Sequence, residues 1–364
     1  EAAKQPVNEL ATKWIGQSGF PLVSVKVEGR KVTLSQRRYY SEPEVRSPET
    51  WPVPMVLRFE DASGVREQRV LFRDAQTTVT LEGGSGDVKW LCANGGSTGF
   101  YRGAYEKPAL DALAANLGTL APSERISLLA DMFALVRSAQ APVADLLDLA
   151  ARFRDEEDEA VLEELVGRLG YIENRLTEGE DQERFRRWVE QLLGGGLKKL
   201  GWQAAQGEPD RVRLRRAALV RAVGGLARSP QVLAEARPLV QRMLQGDKSA
   251  LDANLLDTAV GMVARAGDSA LFDDLSQRMP KEPDPATQRR YLMALTAFED
   301  ATLAERAQGL LFTETVKTQD VASFATGLLG NRTGRDAWWA HLQKNWKDLV
   351  ARTGAAPMLL RRVV

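Results

Sequence analysis

The chain has 364 residues, more than one ordinary domain usually holds, so two or more units are expected. Hydrophobic residues are 44% of the total and charged residues 27%, a balance that excludes a disordered or fibrous chain. Lys plus Arg and Asp plus Glu both count 49, and a formal net charge of zero gives no global bias toward nucleic acid or an acidic membrane surface.

Residues 1–18 read as a helix. Pro6 suits a first turn, and Val7, Leu10, Trp14 and Ile15 fall near helical spacing. From about residue 20 the period becomes two. Val23, Val25 and Val27 alternate with polar residues, a turn follows at Gly29-Arg30, and Val32 and Leu34 continue the pattern as a hairpin. Met55, Leu57 and Phe59 repeat it, then Val70 and Phe72, then Val79 and Leu81, then Val88, Trp90 and Cys92. Short strands with regular turn signals predict a small antiparallel β-sandwich over residues 19–103.

After Tyr105 the period becomes helical and stays so. Pro108 sits where a first turn would be, ahead of Leu110 and Leu113. Pro142 opens a later helix, and the acidic run Asp155–Glu159 reads as a helix N-terminus facing water. Short helices joined by Gly, Pro or charged clusters favour antiparallel neighbours. An all-α superhelix of the HEAT or armadillo kind is therefore expected over 104–364, although no signature recurs at a fixed period. The arginine-rich stretch Arg211–Arg221 reads as a solvated face with some arginines paired to neighbouring helices, against a basic patch that attracts carboxylates.

His341 is the only histidine and Cys92 the only cysteine. An HExxH zinc site needs two histidines, and a catalytic triad needs one beside a nucleophile, so no catalytic or metal-ligating set is expected in this chain. His341 reads as a surface or packing residue. One cysteine permits no internal disulfide and suits a reducing cytoplasm. The compartment is left open: the cytoplasm is slightly favoured, and export is not excluded because the N-terminus is missing. No apolar run is long enough to span a bilayer. The opening Glu1-Ala-Ala-Lys-Gln-Pro is neither a start methionine nor a signal peptide, so the true N-terminus is expected to lie upstream.

Four stretches carry a resemblance. They are Trp14-Ile-Gly-Gln-Ser-Gly-Phe-Pro-Leu-Val-Ser-Val25 with Gln36-Arg-Arg-Tyr39; Trp51-Pro-Val-Pro54; Trp90-Leu-Cys-Ala-Asn-Gly-Gly-Ser-Thr-Gly-Phe-Tyr-Arg102; and Gln319-Asp-Val through Gly334-Arg-Asp-Ala-Trp338 to Asn345-Trp346. In this order they resemble the region after the catalytic domain in the zinc aminopeptidase family of aminopeptidase N and the puromycin-sensitive aminopeptidase. The resemblance implies that residues 1–18 are a helix carried over from the end of the catalytic domain. It implies zinc in the parent enzyme's missing catalytic domain, since the HExxH motif of that family lies upstream of everything here. It implies a parent that removes N-terminal residues from peptides, with this part propping the catalytic domain and limiting peptide access. The implied partners are that catalytic domain and peptide substrates.

Trp90, Tyr101 and Arg102 are expected at the junction of sandwich and helices, with Arg102 pairing a carboxylate across it. Arg335 and Arg332, in the loop framed by Gly330 and Gly334, are expected to contact substrate, because a guanidinium grips a carboxylate through two parallel hydrogen bonds. Two other readings compete. One is a free-standing helical scaffold that binds a partner protein along its concave face. The other is a carbohydrate-binding sandwich, against which the tryptophans read better as core.

Overall fold

The computed structural model describes residues 7–42, 44–45 and 47–353. Pro6 and the final residue Val364 lie outside them. The chain divides into two compact units, residues 1–168 and 169–364.

Among the described residues of the first unit, helix α1 (Val7–Gly16) precedes seven strands: β1 (Pro21–Glu28), β2 (Lys31–Arg38), β3 (Val53–Asp61), β4 (Gly64–Phe72), β5 (Gln76–Thr80), β6 (Trp90–Cys92) and β7 (Arg102–Tyr105). They form a four-stranded sheet of order β5-β2-β1-β7 and a three-stranded sheet of order β4-β3-β6. The alternation read from sequence is the alternation of burial. Val53, Met55, Leu57 and Phe59 of β3 are buried, while Val56, Arg58 and Glu60 are half-buried. Val23, Val25, Val32 and Leu34 of the first sheet meet Trp51, Leu57 and Phe72 in one core, so the sheets pack face to face. Gly29, at φ +59°, closes the β1–β2 hairpin in a conformation that favours glycine.

One pairing departs from the antiparallel pattern: β7 runs parallel to β1, with Leu22 opposite Arg102 and Val25 opposite Tyr105. The chain reaches β7 from the other sheet, so it enters beside β1 from the same end rather than by a hairpin. The motif residues before β7 build that crossing. The Asn94 side chain accepts from Gly99 N and donates to Gly99 O, at 2.8 and 3.1 Å. A Cβ on Gly99 would fall 2.1 Å from the Tyr101 ring, so only glycine lets the loop lie this close.

Four helices continue from the sandwich: α2 (Lys107–Ala115), α3 (Pro122–Arg137), α4 (Val143–Ala151) and α5 (Glu159–Arg175), the last crossing the division between units. Buried Glu124 ties α3 to the sandwich. It accepts from Ala121 N at the start of its own helix, from Gly96 N and from Arg58. The acidic run before α5 is only partly in water. Asp158 accepts from Ala160 N and Val161 N, as a helix cap should. Glu156 is instead half-buried, its side chain only 7% exposed and paired with Arg125 of α3 at 2.8 Å.

The second unit holds α6 (Gly179–Leu200), α7 (Asp210–Val220), α8 (Pro230–Leu244), α9 (Leu256–Arg265), α10 (Ser269–Arg278), α11 (Pro285–Ala294), α12 (Ala301–Leu310), α13 (Val321–Gly330), α14 (Arg335–Lys344) and α15 (Trp346–Arg352). Neighbours in space are mostly near neighbours in sequence: α6 on α7, α8 on α9, α10 on α11, α13 on α14. After α7 the chain makes a π-helical turn, Arg221–Leu226, packed against α6 and α9. In the arginine-rich α7, Arg216 is fully buried, and both oxygens of Glu208 accept from its guanidinium. A small β-sandwich followed by an all-α region is thus the architecture.

Candidate functional site: an arginine-rich cluster around the end of α5

The end of α5 carries Glu173 and Asn174, and polar side chains from distant parts of the second unit converge there. Glu173 is buried. Its Oε1 accepts from Arg186 Nε and Nη2 of α6 at 3.0 and 2.6 Å and from Gln182 Nε2 at 3.0 Å. Arg186 also donates to Glu183 at 2.5 Å. Arg265, at the end of α9, donates to Gly225 O inside the π-helical turn. Burial lowers its pKa, and it feels the charges of Arg228, Glu299, Glu173 and Arg186. Arg228 in turn pairs with Glu299 at 2.7 Å.

The loop predicted from sequence reaches the same place. Arg332 Nη2 donates to the backbone oxygens of Asn174 and Thr177, at 3.1 and 2.7 Å. Arg335 Nη1 donates to Asn174 Oδ1 at 3.2 Å. Two buried bonds from Asn331 Nδ2, to Thr296 O and Phe298 O, anchor the loop, and Gln308 holds Gly334 O. Both arginines are half-buried, and among the described residues their hydrogen-bond partners are neutral oxygens. Among the described residues, Arg186 and Arg228 have carboxylate partners, whereas Arg265, Arg332 and Arg335 donate to amide oxygens. The cluster therefore holds more cation than anion, and such a surface attracts carboxylates. The loop arginines were legible in the sequence. Glu173, Arg186, Arg228 and Arg265 were not, because they lie on α5, α6, the loop before α8, and α9, and no local spacing joins them.

The other named residues lie in the first unit. Trp90 is buried, donates to Glu60 Oε2 at 2.8 Å, and carries the Arg58 guanidinium over its ring. Tyr101 is buried and donates to Ala93 O at 2.6 Å. Arg102 pairs with Asp131 of α3 at 3.1 Å, and Asp131 also accepts from Gly103 N at 2.8 Å. β6 packs on α2 and β7 on α3, so all three residues sit where strands meet helices. Burial raises the Asp131 carboxyl to about 6, against the lowering by Gly103 N–H and Arg102.

The zinc that the resemblance implies does not fit these residues. Exposed His341 stacks on Trp338, and Cys92 lies buried in the sandwich with its thiol pushed up to about 12, chiefly by burial. Among the described residues no three His, Cys, Asp or Glu side chains converge as metal ligands. Among the same residues no helix is long and apolar enough to cross a membrane.

Comparison with known proteins adds the family. Residues 90–364 match the ERAP1-like C-terminal domain. Aminopeptidase 2, mitochondrial, of Saccharomyces cerevisiae is 25% identical over 100% of this chain and 38% of its own length. Aminopeptidase M1 of Arabidopsis thaliana is 26% identical over 99% of this chain and 42% of its own. Glutamyl aminopeptidase of Rattus norvegicus is 25% identical over 100% of this chain and 39% of its own. The chain thus spans about two fifths of the length of these curated relatives. With three quarters of its residues under one family description, this chain belongs to the ERAP1-like C-terminal domain family.

Proposed function

We propose that this chain is the non-catalytic C-terminal part of a zinc-dependent aminopeptidase that removes N-terminal residues from peptides. The observation that carries the reading is similarity along the whole chain to proteins named aminopeptidases, each more than twice as long as the matched region. In this reading residues 1–18 are carried over from the catalytic domain, 19–103 prop it, and 104–364 form a superhelical bowl that encloses the substrate cavity. The bowl limits the length of peptide admitted. Zinc belongs to the catalytic domain, which supplies all the chemistry. The purified 364-residue chain should then release no aminoacyl chromophore above background. Chelator-sensitive release by the pure chain would overturn this.

Within the bowl, Arg335 and Arg332 hold the distal carboxylate or an acidic side chain of a bound peptide. Their neutral partners support this, because a peptide carboxylate would be the first anion that either guanidinium meets. In the full-length enzyme, Arg335→Ala should raise KM for long peptides about tenfold and leave a single-residue chromogenic substrate nearly unchanged. Equal losses on both substrates would mean damage to the fold, and no change on either would leave Arg335 without this role.

A further inference from the structure

A cavity of about 360 Å³ opens between α10, α11 and the segment that follows α12. It shares no residue with the arginine-rich cluster. Its apolar lining includes Met279, Leu292, Leu295 and Leu310. Small-molecule pockets have this size and this mixture of an apolar wall with a few placed polar groups.

The polar groups at the cavity are not equivalent. Arg289 is neutralised by Asp320 at 2.9 Å. The Glu314 side chain is fully exposed and stands 3.9 Å from Arg352. Lys317 has no carboxylate partner among the described residues. Its Nζ donates to Gln288 Oε1 at 2.8 Å, and the Gln288 amide is held in turn by donation to Met279 O at 3.2 Å. That leaves one uncompensated, positioned cation beside an aliphatic wall.

We propose that this cavity binds an aliphatic monocarboxylate, with the acyl chain on Met279, Leu292, Leu295 and Leu310 and the carboxylate on Lys317. A cationic ligand would meet Lys317 with like charge. A neutral one would gain nothing from the lysine's charge.

Calorimetric titration of this chain with octanoate, hexanoate, octanol and octylamine tests the proposal. Octanoate should bind about tenfold more tightly than hexanoate, because two more methylenes are buried. It should also bind about tenfold more tightly than octanol, because a charge-assisted bond replaces a neutral one. Lys317→Gln should weaken octanoate about tenfold without moving octanol, and Lys317→Arg should keep octanoate binding. Lys317 is exposed, so these variants leave the core intact. Octanol or octylamine binding as tightly as octanoate would overturn the proposal. So would an unchanged octanoate affinity in Lys317→Gln, or no octanoate binding up to about 10 mM.

Discussion

Arg186→Ala should lower the unfolding free energy of this chain by about 3–5 kcal/mol, because it leaves the Glu173 carboxylate buried without its cation. Both side chains of the pair are only 9% exposed, so water cannot replace the lost partner. Three of the hydrogen bonds to Glu173 Oε1 come from Arg186 and Gln182, and the substitution removes two of them. Glu173→Gln in the Arg186→Ala background removes the stranded charge and should recover much of the loss. Urea unfolding followed by tryptophan fluorescence measures both. A loss under about 1 kcal/mol for Arg186→Ala would mean that the pair is solvated in solution. The pair also positions the cluster. Glu173 precedes Asn174, which receives Arg332 on its backbone oxygen and Arg335 on its side chain. On the proposed function, a destabilised α5 end in the full-length protein should therefore raise KM for long peptides more than for a chromogenic substrate.

Stability should also carry a pH signature from Asp131. Its carboxyl titrates at about 6 in the folded chain, against an ordinary value of 3.8, so the folded state holds this proton more tightly than the unfolded one. The contribution is fully present below about pH 4 and is lost as pH rises through about 6. A shift of this size amounts to roughly 3 kcal/mol. Asp131→Asn cannot ionise, so its stability relative to the parent should rise by up to about that amount between pH 4 and pH 7. The difference between the two curves isolates this group from other titrating carboxylates. Curves that stay parallel across the range would refute a buried, hard-to-ionise Asp131. The geometry gives the cause: the carboxylate sits between α3 and β7, with Gly103 N–H and Arg102 offsetting only part of the burial cost.

The helical region shows where local reading stops. Gly194, Gly195 and Gly196 have the look of a linker, yet α6 runs through all three. Leu192, Leu193 and Leu197 are buried on either side of them, and Gly196 lies against Leu219 of α7, where a Cβ would sit 3.3 Å from that side chain. Packing of the flanking leucines outweighs the unfavourable helix propensity of glycine, about 1 kcal/mol per residue. In the same way Arg216 reads as one more basic residue of a solvated helix. Glu208 and the backbone oxygens of Leu200 and Gly201 take it out of water.

By itself, the sequence determined the change from period two to period 3.6 after Tyr105, the hairpin at Gly29, and the alternation of buried and exposed positions along the strands. Each of these depends on neighbours within a few positions, because strand and helix periods are properties of the local backbone. It also marked Arg332 and Arg335 as members of one loop. Only the tertiary structure decided that β7 lies parallel to β1, that Glu124 and Asp131 bind α3 to the sheets, and that Arg332 and Arg335 meet Asn174. Hydrogen bonds across separations of 28 to 161 residues carry those contacts, and no periodicity along the chain encodes such a partner. Charge shows the same division: composition gave a balance of zero, and only folding gathered the arginines at the end of α5, where neutral oxygens leave part of their charge uncompensated.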